Sequence, residues 1–116
     1  MMPGEVSGWP AGERLAVDRY FEGDGELFLA FKATCIAQFQ ADFSAAAAAI
    51  AAQDRVALRR IVHSLKSVLQ TLGHDELGAA ARDLEQLVHA SAWAQAVSGW
   101  HGLEQAIVSA FALPPR

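Results

Sequence analysis

The fold is decided by the stretch Ile61-Val62-His63-Ser64-Leu65-Lys66-Ser67-Val68-Leu69-Gln70-Thr71-Leu72-Gly73. Apolar side chains recur every three or four residues through it, the spacing of an amphipathic helix whose apolar seam is buried. The members of this seam are Leu58, Val62, Leu65, Leu69 and Leu72. Gly73 follows the last of them, and glycine commonly ends a helix. The stretch therefore predicts a helix that runs to about Leu72 and packs one face into a core.

His63 lies on the side of this predicted helix that is opposite the apolar seam, because successive residues turn by about 100°. Lysine, serine, glutamine and two arginines share or flank its face: Arg59, Arg60, Lys66, Ser67 and Gln70. Val56 falls on the same side, two turns earlier, as a candidate exposed apolar residue. A single surface histidine on a helix is usually only a solvated side chain. Its surroundings must therefore decide whether it has a function.

The residues around and after His63 resemble the histidine-containing phosphotransfer (HPt) family of two-component phosphorelays. The pattern of that family runs His-x-Leu-Lys-Gly, then Leu-Gly, and then a helix that ends in x-Leu-Glu. It is matched here by His63-Ser64-Leu65-Lys66, by Leu72-Gly73 and by Ala81-Arg82-Asp83-Leu84-Glu85. The likeness extends from about Asp18 to the C-terminus. Ser67 stands where the family usually has glycine, and its hydroxyl narrows the approach of a partner to the imidazole without closing it.

The resemblance implies that His63 accepts a phosphoryl group from a receiver-domain aspartyl phosphate and passes it to another receiver. Lys66 would supply a nearby positive charge, and Ser67 and Gln70 would offer hydrogen bonds. The expected partners are response-regulator receiver domains or a hybrid sensor histidine kinase. They would contact a surface made by Val56, Arg59, Arg60 and, at its rim, His74. Magnesium is expected on the receiver. The chain itself is expected to have no cofactor and no ATP site, and to be a carrier and not an enzyme.

Two other functions remain open. The chain could be a phosphate-accepting domain that a sensor or chemotaxis-type kinase modifies directly. Such a domain would be expected in a longer chain that also carries kinase modules. It could also be a structural or regulatory helical bundle that has lost transfer activity. The presence of His63 and Lys66 argues against this loss, and Ser67 argues weakly for it.

Composition limits the class of protein. The 116 residues are 53% hydrophobic with few β-branched runs, which favours one all-helical domain, expected to be a monomer. A formal net charge of -4 argues against a nucleic-acid partner. The single cysteine, Cys35, lies in an apolar helix pattern and predicts a buried free thiol in a reducing, cytoplasmic compartment. We expect no membrane segment and no signal peptide, and the histidine spacings match no common metal motif.

The chain divides into an arm, a bundle and a tail. Residues 1–12 are rich in glycine and proline and are expected to be flexible, with Trp9 as a candidate anchor. Residues 13–113 would form an antiparallel up-down-up-down four-helix bundle with a short extra N-terminal helix at about 13–21, and residues 114–116 would be a tail. Asp54 and Ser91 are candidate N-caps. Three polar residues of the fourth helix, Arg82, Glu85 and His89, are expected to face water on the far side from His63.

Overall fold

A computed structural model describes residues 9–90 and 92–114, which contain helices and turns but no strand. The five helices in this part of the chain are α1 (Ala11–Tyr20), α2 (Gly25–Ala51), α3 (Arg55–Thr71), α4 (Asp75–Ala90) and α5 (Trp93–Ala110). The prediction of an all-helical fold is confirmed. Most of the predicted arm, the candidate N-cap Ser91 and the end of the predicted tail lie outside the described residues.

The residues that flank α3 explain where this helix begins and ends. The side chain of Asp54 accepts a hydrogen bond from the backbone N–H of Ala57 at 3.0 Å, which satisfies one of the free donors of the first turn. At the other end Gly73 has a φ of 84°, a left-handed conformation that glycine adopts without steric cost. Both predicted ends of the His63 helix are therefore confirmed.

The apolar seam of α3 is buried as predicted. Its five members are only 0–1% exposed: Leu58, Val62, Leu65, Leu69 and Leu72. Full burial of one such side chain stabilises a fold by about 1.5–3 kcal/mol. α3 packs against both α2 and α4, and α4 packs against α5. The largest buried aromatic side chains of this core are Phe28, Phe39, Phe43 and Trp100. The exposed face of α3 thus stands on a well-packed support.

α1 packs on the turn between α3 and α4. Gly12 approaches Gly73 so closely that a methyl group on either residue would overlap the carbonyl oxygen of the other. The ring of Trp9 lies 5.4 Å from that of Phe28, so this residue anchors the start of the described chain as expected. The helix begins at Ala11, slightly before the start that the sequence predicted.

No helix in the described ranges is both long enough and apolar enough to cross a bilayer.

Cys35, a residue of α2, is buried as predicted. Burial and the nearby carboxylate of Asp42 raise the pKa of its thiol, which therefore stays protonated near neutral pH.

Candidate functional site

His63 lies near the middle of α3 with 60% of its side chain exposed, which confirms the predicted orientation. Its Nδ1 lies 2.7 Å from Oε2 of Glu85, a residue of α4. Because an ionised carboxylate can only accept, we assign the ring proton to Nδ1. The neutral ring then has an unshared electron pair on Nε2, the atom that can act as a nucleophile.

Glu85 contacts two residues of α3 at once. Its Oε1 accepts a hydrogen bond from Nζ of Lys66 at 3.1 Å, while Oε2 accepts from His63. Its side chain is only 13% exposed. This burial disfavours the charged form, but the hydrogen bonds and charges of Lys66 and His63 outweigh it and hold the pKa of Glu85 below its usual range. The carboxylate is ionised at neutral pH and can fix both the tautomer and the orientation of the imidazole.

The position of Glu85 corrects the expectation that it faces water on the far side of α4. It directly follows Leu84, which is buried, so it lies at the edge of the apolar face. From this edge a long side chain reaches the neighbouring helix instead of pointing away from it. The signal that could have identified it is the Leu84-Glu85 pair of the family pattern, although the pattern by itself does not give the distance from Glu85 to His63.

A surface cavity of about 360 Å³ adjoins the imidazole. Its lining residues are Val56, Arg59, Arg60, His63 and Glu85. Val56 is 67% exposed, and it shares this surface with His63 as the helix geometry predicted. Neither arginine forms an ion pair with any residue in the ranges that the structure describes. The cavity therefore combines an exposed apolar side chain and these two arginines with the carboxylate that contacts His63.

Ser67 and Gln70 are exposed on α3, but neither is among the residues that line this cavity. The backbone carbonyl of Ser67 accepts a hydrogen bond from Oγ1 of Thr71 at 2.9 Å. The side chain of Gln70 lies against Gly78 of α4, where a methyl group would meet its Cγ at 2.7 Å. Their predicted roles at the site stay predictions.

His74 lies apart from this face, not at its rim. It comes eleven residues after His63, or roughly 15 Å further along the direction of the helix. Its Nε2 is 2.7 Å from Oε2 of Glu13, and its ring centroid is 4.5 Å from that of Phe111. The turn at Gly73 directs the side chain towards α1 and α5, away from the cavity.

Glu13 connects His74 to a second cation. Its carboxylate also accepts two hydrogen bonds from Nζ of Lys32, at 2.9 and 3.1 Å. The side chain of Glu13 is only 4% exposed, which opposes ionisation. The hydrogen bonds from His74 and Lys32, with their charges, outweigh that effect and hold its pKa below 4.5. We call Glu13, Lys32 and His74 the Glu13 cluster; it joins α1, α2 and the α3–α4 turn.

The family model of the Hpt domain matches residues 28–110. No curated protein and no solved structure gives a significant match. Because the matched region covers most of the chain, the chain belongs to the Hpt domain family. Members of this family take part in histidine phosphotransfer in two-component phosphorelays and interact with receiver domains and histidine kinases. Among the described residues, no group of histidine, cysteine, aspartate and glutamate is arranged to hold a metal ion.

Proposed function

We propose that the chain is a phosphoryl carrier in which His63 accepts the group from an aspartyl phosphate of one receiver domain and passes it to another receiver. The observation that supports this most directly is the exposed imidazole whose Nδ1 is held by Glu85. The proposal includes an up-down-up-down bundle of α2 to α5 with α1 as an additional helix, an arrangement that short turns favour.

In the proposed reaction Nε2 of His63 attacks the phosphorus atom as the bond from phosphorus to the aspartate oxygen breaks. The electron pair of that bond leaves with the aspartate carboxylate. The ring becomes an imidazolium that keeps the proton on Nδ1, and the carboxylate of Glu85 accepts this hydrogen bond and balances the charge. No base has to remove a proton from the ring. The reverse sequence delivers the group to a second receiver.

Phosphoryl transfer requires mainly alignment and charge neutralisation from the protein. In this chain Glu85 aligns the ring, and Lys66 keeps Glu85 in place and ionised. We propose that the magnesium ion belongs to the receiver and that the chain works without an ATP site or a cofactor of its own. Hpt domains act in general as phosphocarriers and not as catalysts.

The proposed docking surface is the face of α3 around His63. Val56 offers an apolar contact there, and Arg59 and Arg60 make the surface locally positive although the formal net charge of the chain is -4. A receiver with an acidic phosphorylation pocket and an apolar rim complements this surface. Such charged contacts mainly set the rate of encounter and its dependence on salt.

The test is to offer the chain a receiver that carries radiolabelled aspartyl phosphate and, separately, a sensor kinase with labelled ATP. We expect acid-labile label to move from the receiver to the wild-type chain but not to His63→Gln, whose helix content should be unchanged because the position faces solvent. His101→Gln is the matched control, since the side chain of His101 is 62% exposed. Label on His63→Gln would contradict the assignment of the phosphorylated residue. Transfer from the kinase and from no receiver would favour direct modification by a kinase.

A further inference from the structure

The open space beside the imidazole lies over the turn of α3 that precedes His63. Arg59 and Arg60 line the cavity there, whereas Lys66 in the following turn does not. Side chains of an α-helix lean towards its N-terminus, so the ring of His63 extends over the arginine turn. A group bound to the ring therefore enters a space that is bounded by the two arginines as well as by Val56 and Glu85.

The cations near His63 also differ in their availability. Nζ of Lys66 already pairs with Glu85 at 3.1 Å, and its side chain is 23% exposed. The positive charge of Lys66 is therefore already balanced by the carboxylate of Glu85, which leaves it less able to pair with a new anion. Arg59 and Arg60 are exposed and, within residues 9–90 and 92–114, form no ion pair. The positive charge that is available to a new anion thus belongs to the arginines.

We infer that Arg59 and Arg60 form the subsite that binds the phosphoryl group on His63, and that Lys66 acts instead as the partner of Glu85. The inference rests on the proposed function, because it takes His63 as the carrier. The two guanidinium groups lie three and four residues before the imidazole, the spacing at which helical side chains meet. Guanidinium groups match phosphate oxygens with paired hydrogen bonds.

Phosphoramidate tests the subsite without any partner protein. Nε2 of His63 attacks its phosphorus atom, the phosphorus–nitrogen bond breaks, and ammonia leaves with the electron pair, while the proton on Nδ1 stays in its hydrogen bond to Glu85. The variants to compare are Arg59→Gln, Arg60→Gln, the double variant and Lys66→Gln. Arg82→Gln is the matched control, because this arginine of α4 has a side chain 61% exposed and does not line the cavity. The measurements are the initial rate of phosphorylation and the half-life of phosphohistidine by phosphorus NMR.

We expect each single arginine variant to lower the initial rate about two- to fivefold and the double variant about tenfold, the scale of exposed charge interactions. These differences should shrink at high salt, which screens exposed charges. Arg82→Gln should match the wild type, and Lys66→Gln should lose less than the double variant. A double variant that is phosphorylated as fast as Arg82→Gln, or a larger loss in Lys66→Gln, would overturn the inference. Equal labelling of His63→Gln and wild type would instead show that the proposed function has failed.

Discussion

Replacement of Glu85 should slow phosphorylation of His63 without unfolding the chain. Glu85→Ala removes the carboxylate 2.7 Å from Nδ1, after which the ring can rotate and can carry its proton on Nε2. A proton there occupies the electron pair that attacks phosphorus. Glu85→Gln is a milder change, since the amide oxygen can still accept the hydrogen bond from Nδ1 but no longer carries a charge.

The expected size of this effect follows from the exposure of the two side chains. A hydrogen bond to a charged group contributes about 1.5–3 kcal/mol. His63 is 60% exposed, so solvent screening reduces the contribution of this one to about 1 kcal/mol. Because 1.36 kcal/mol corresponds to a factor of ten in rate, we expect Glu85→Ala to slow phosphorylation about fivefold. Glu85→Gln should fall between this variant and the wild type.

The assay is the initial rate of phosphorylation by phosphoramidate, together with nitrogen NMR of the His63 ring, which reports which nitrogen carries the proton. Asp83→Asn is the matched control, because Asp83 is a residue of α4 with a side chain 77% exposed and the substitution removes the same charge. If Glu85→Ala is phosphorylated as fast as Asp83→Asn and the proton remains on Nδ1, Glu85 does not orient the imidazole.

Three further predictions concern the parts of the chain that support the site. Gly12→Ala should lower the free energy of unfolding by about 1–3 kcal/mol, because its methyl group overlaps the carbonyl oxygen of Gly73. The control Gly102→Ala should not lower it, because the space there is open. If the two variants had equal melting temperatures, the prediction would be wrong. The pKa of Glu13 is held below 4.5, so its ionised form stabilises the fold above that pH and the stabilisation is lost as the pH falls through the lowered pKa. Denaturant titrations should show a smaller acid loss in Glu13→Gln, and an identical loss would refute the role of its ion pairs. Cys35 should react with a thiol reagent only after denaturation, and rapid reaction of the native chain would show that it is not buried.

The helices and the direction of His63 could be predicted because both depend on one helix at a time. The spacing of Leu58, Val62 and Leu65 defines the buried side of α3, and the angle per residue then places His63 opposite to it. The capping residue Asp54 and the glycine at position 73 are likewise local signals. Each of these sequence signals lies within a few residues of the structural feature that it determines.

The contacts between helices could not be predicted in the same way. Periodicity gives the angle of Glu85 around the axis of α4 but not the rotation of α4 relative to α3, which decides whether its carboxylate reaches His63. The burial of Glu13 was even harder to predict from the sequence, because a charged residue in a short helix normally faces solvent. Its burial depends on Lys32 and His74, which are distant in sequence and converge only in the fold.

The unequal exposure of His63 and Glu85 suits a carrier. A carrier of the proposed kind must let more than one partner reach its imidazole, and 60% of the side chain of His63 is open to solvent. Its proton must be placed before a partner arrives, and the residue that places it is only 13% exposed and is held by Lys66. In the proposed function, a receiver that covers the cavity contacts Val56 and the two arginines, while the hydrogen bond from Lys66, which does not line the cavity, holds the carboxylate of Glu85 at its wall. In the proposed function, the same chain would therefore present one prepared nucleophile to a donor and, after the transfer, one phosphorylated ring to an acceptor.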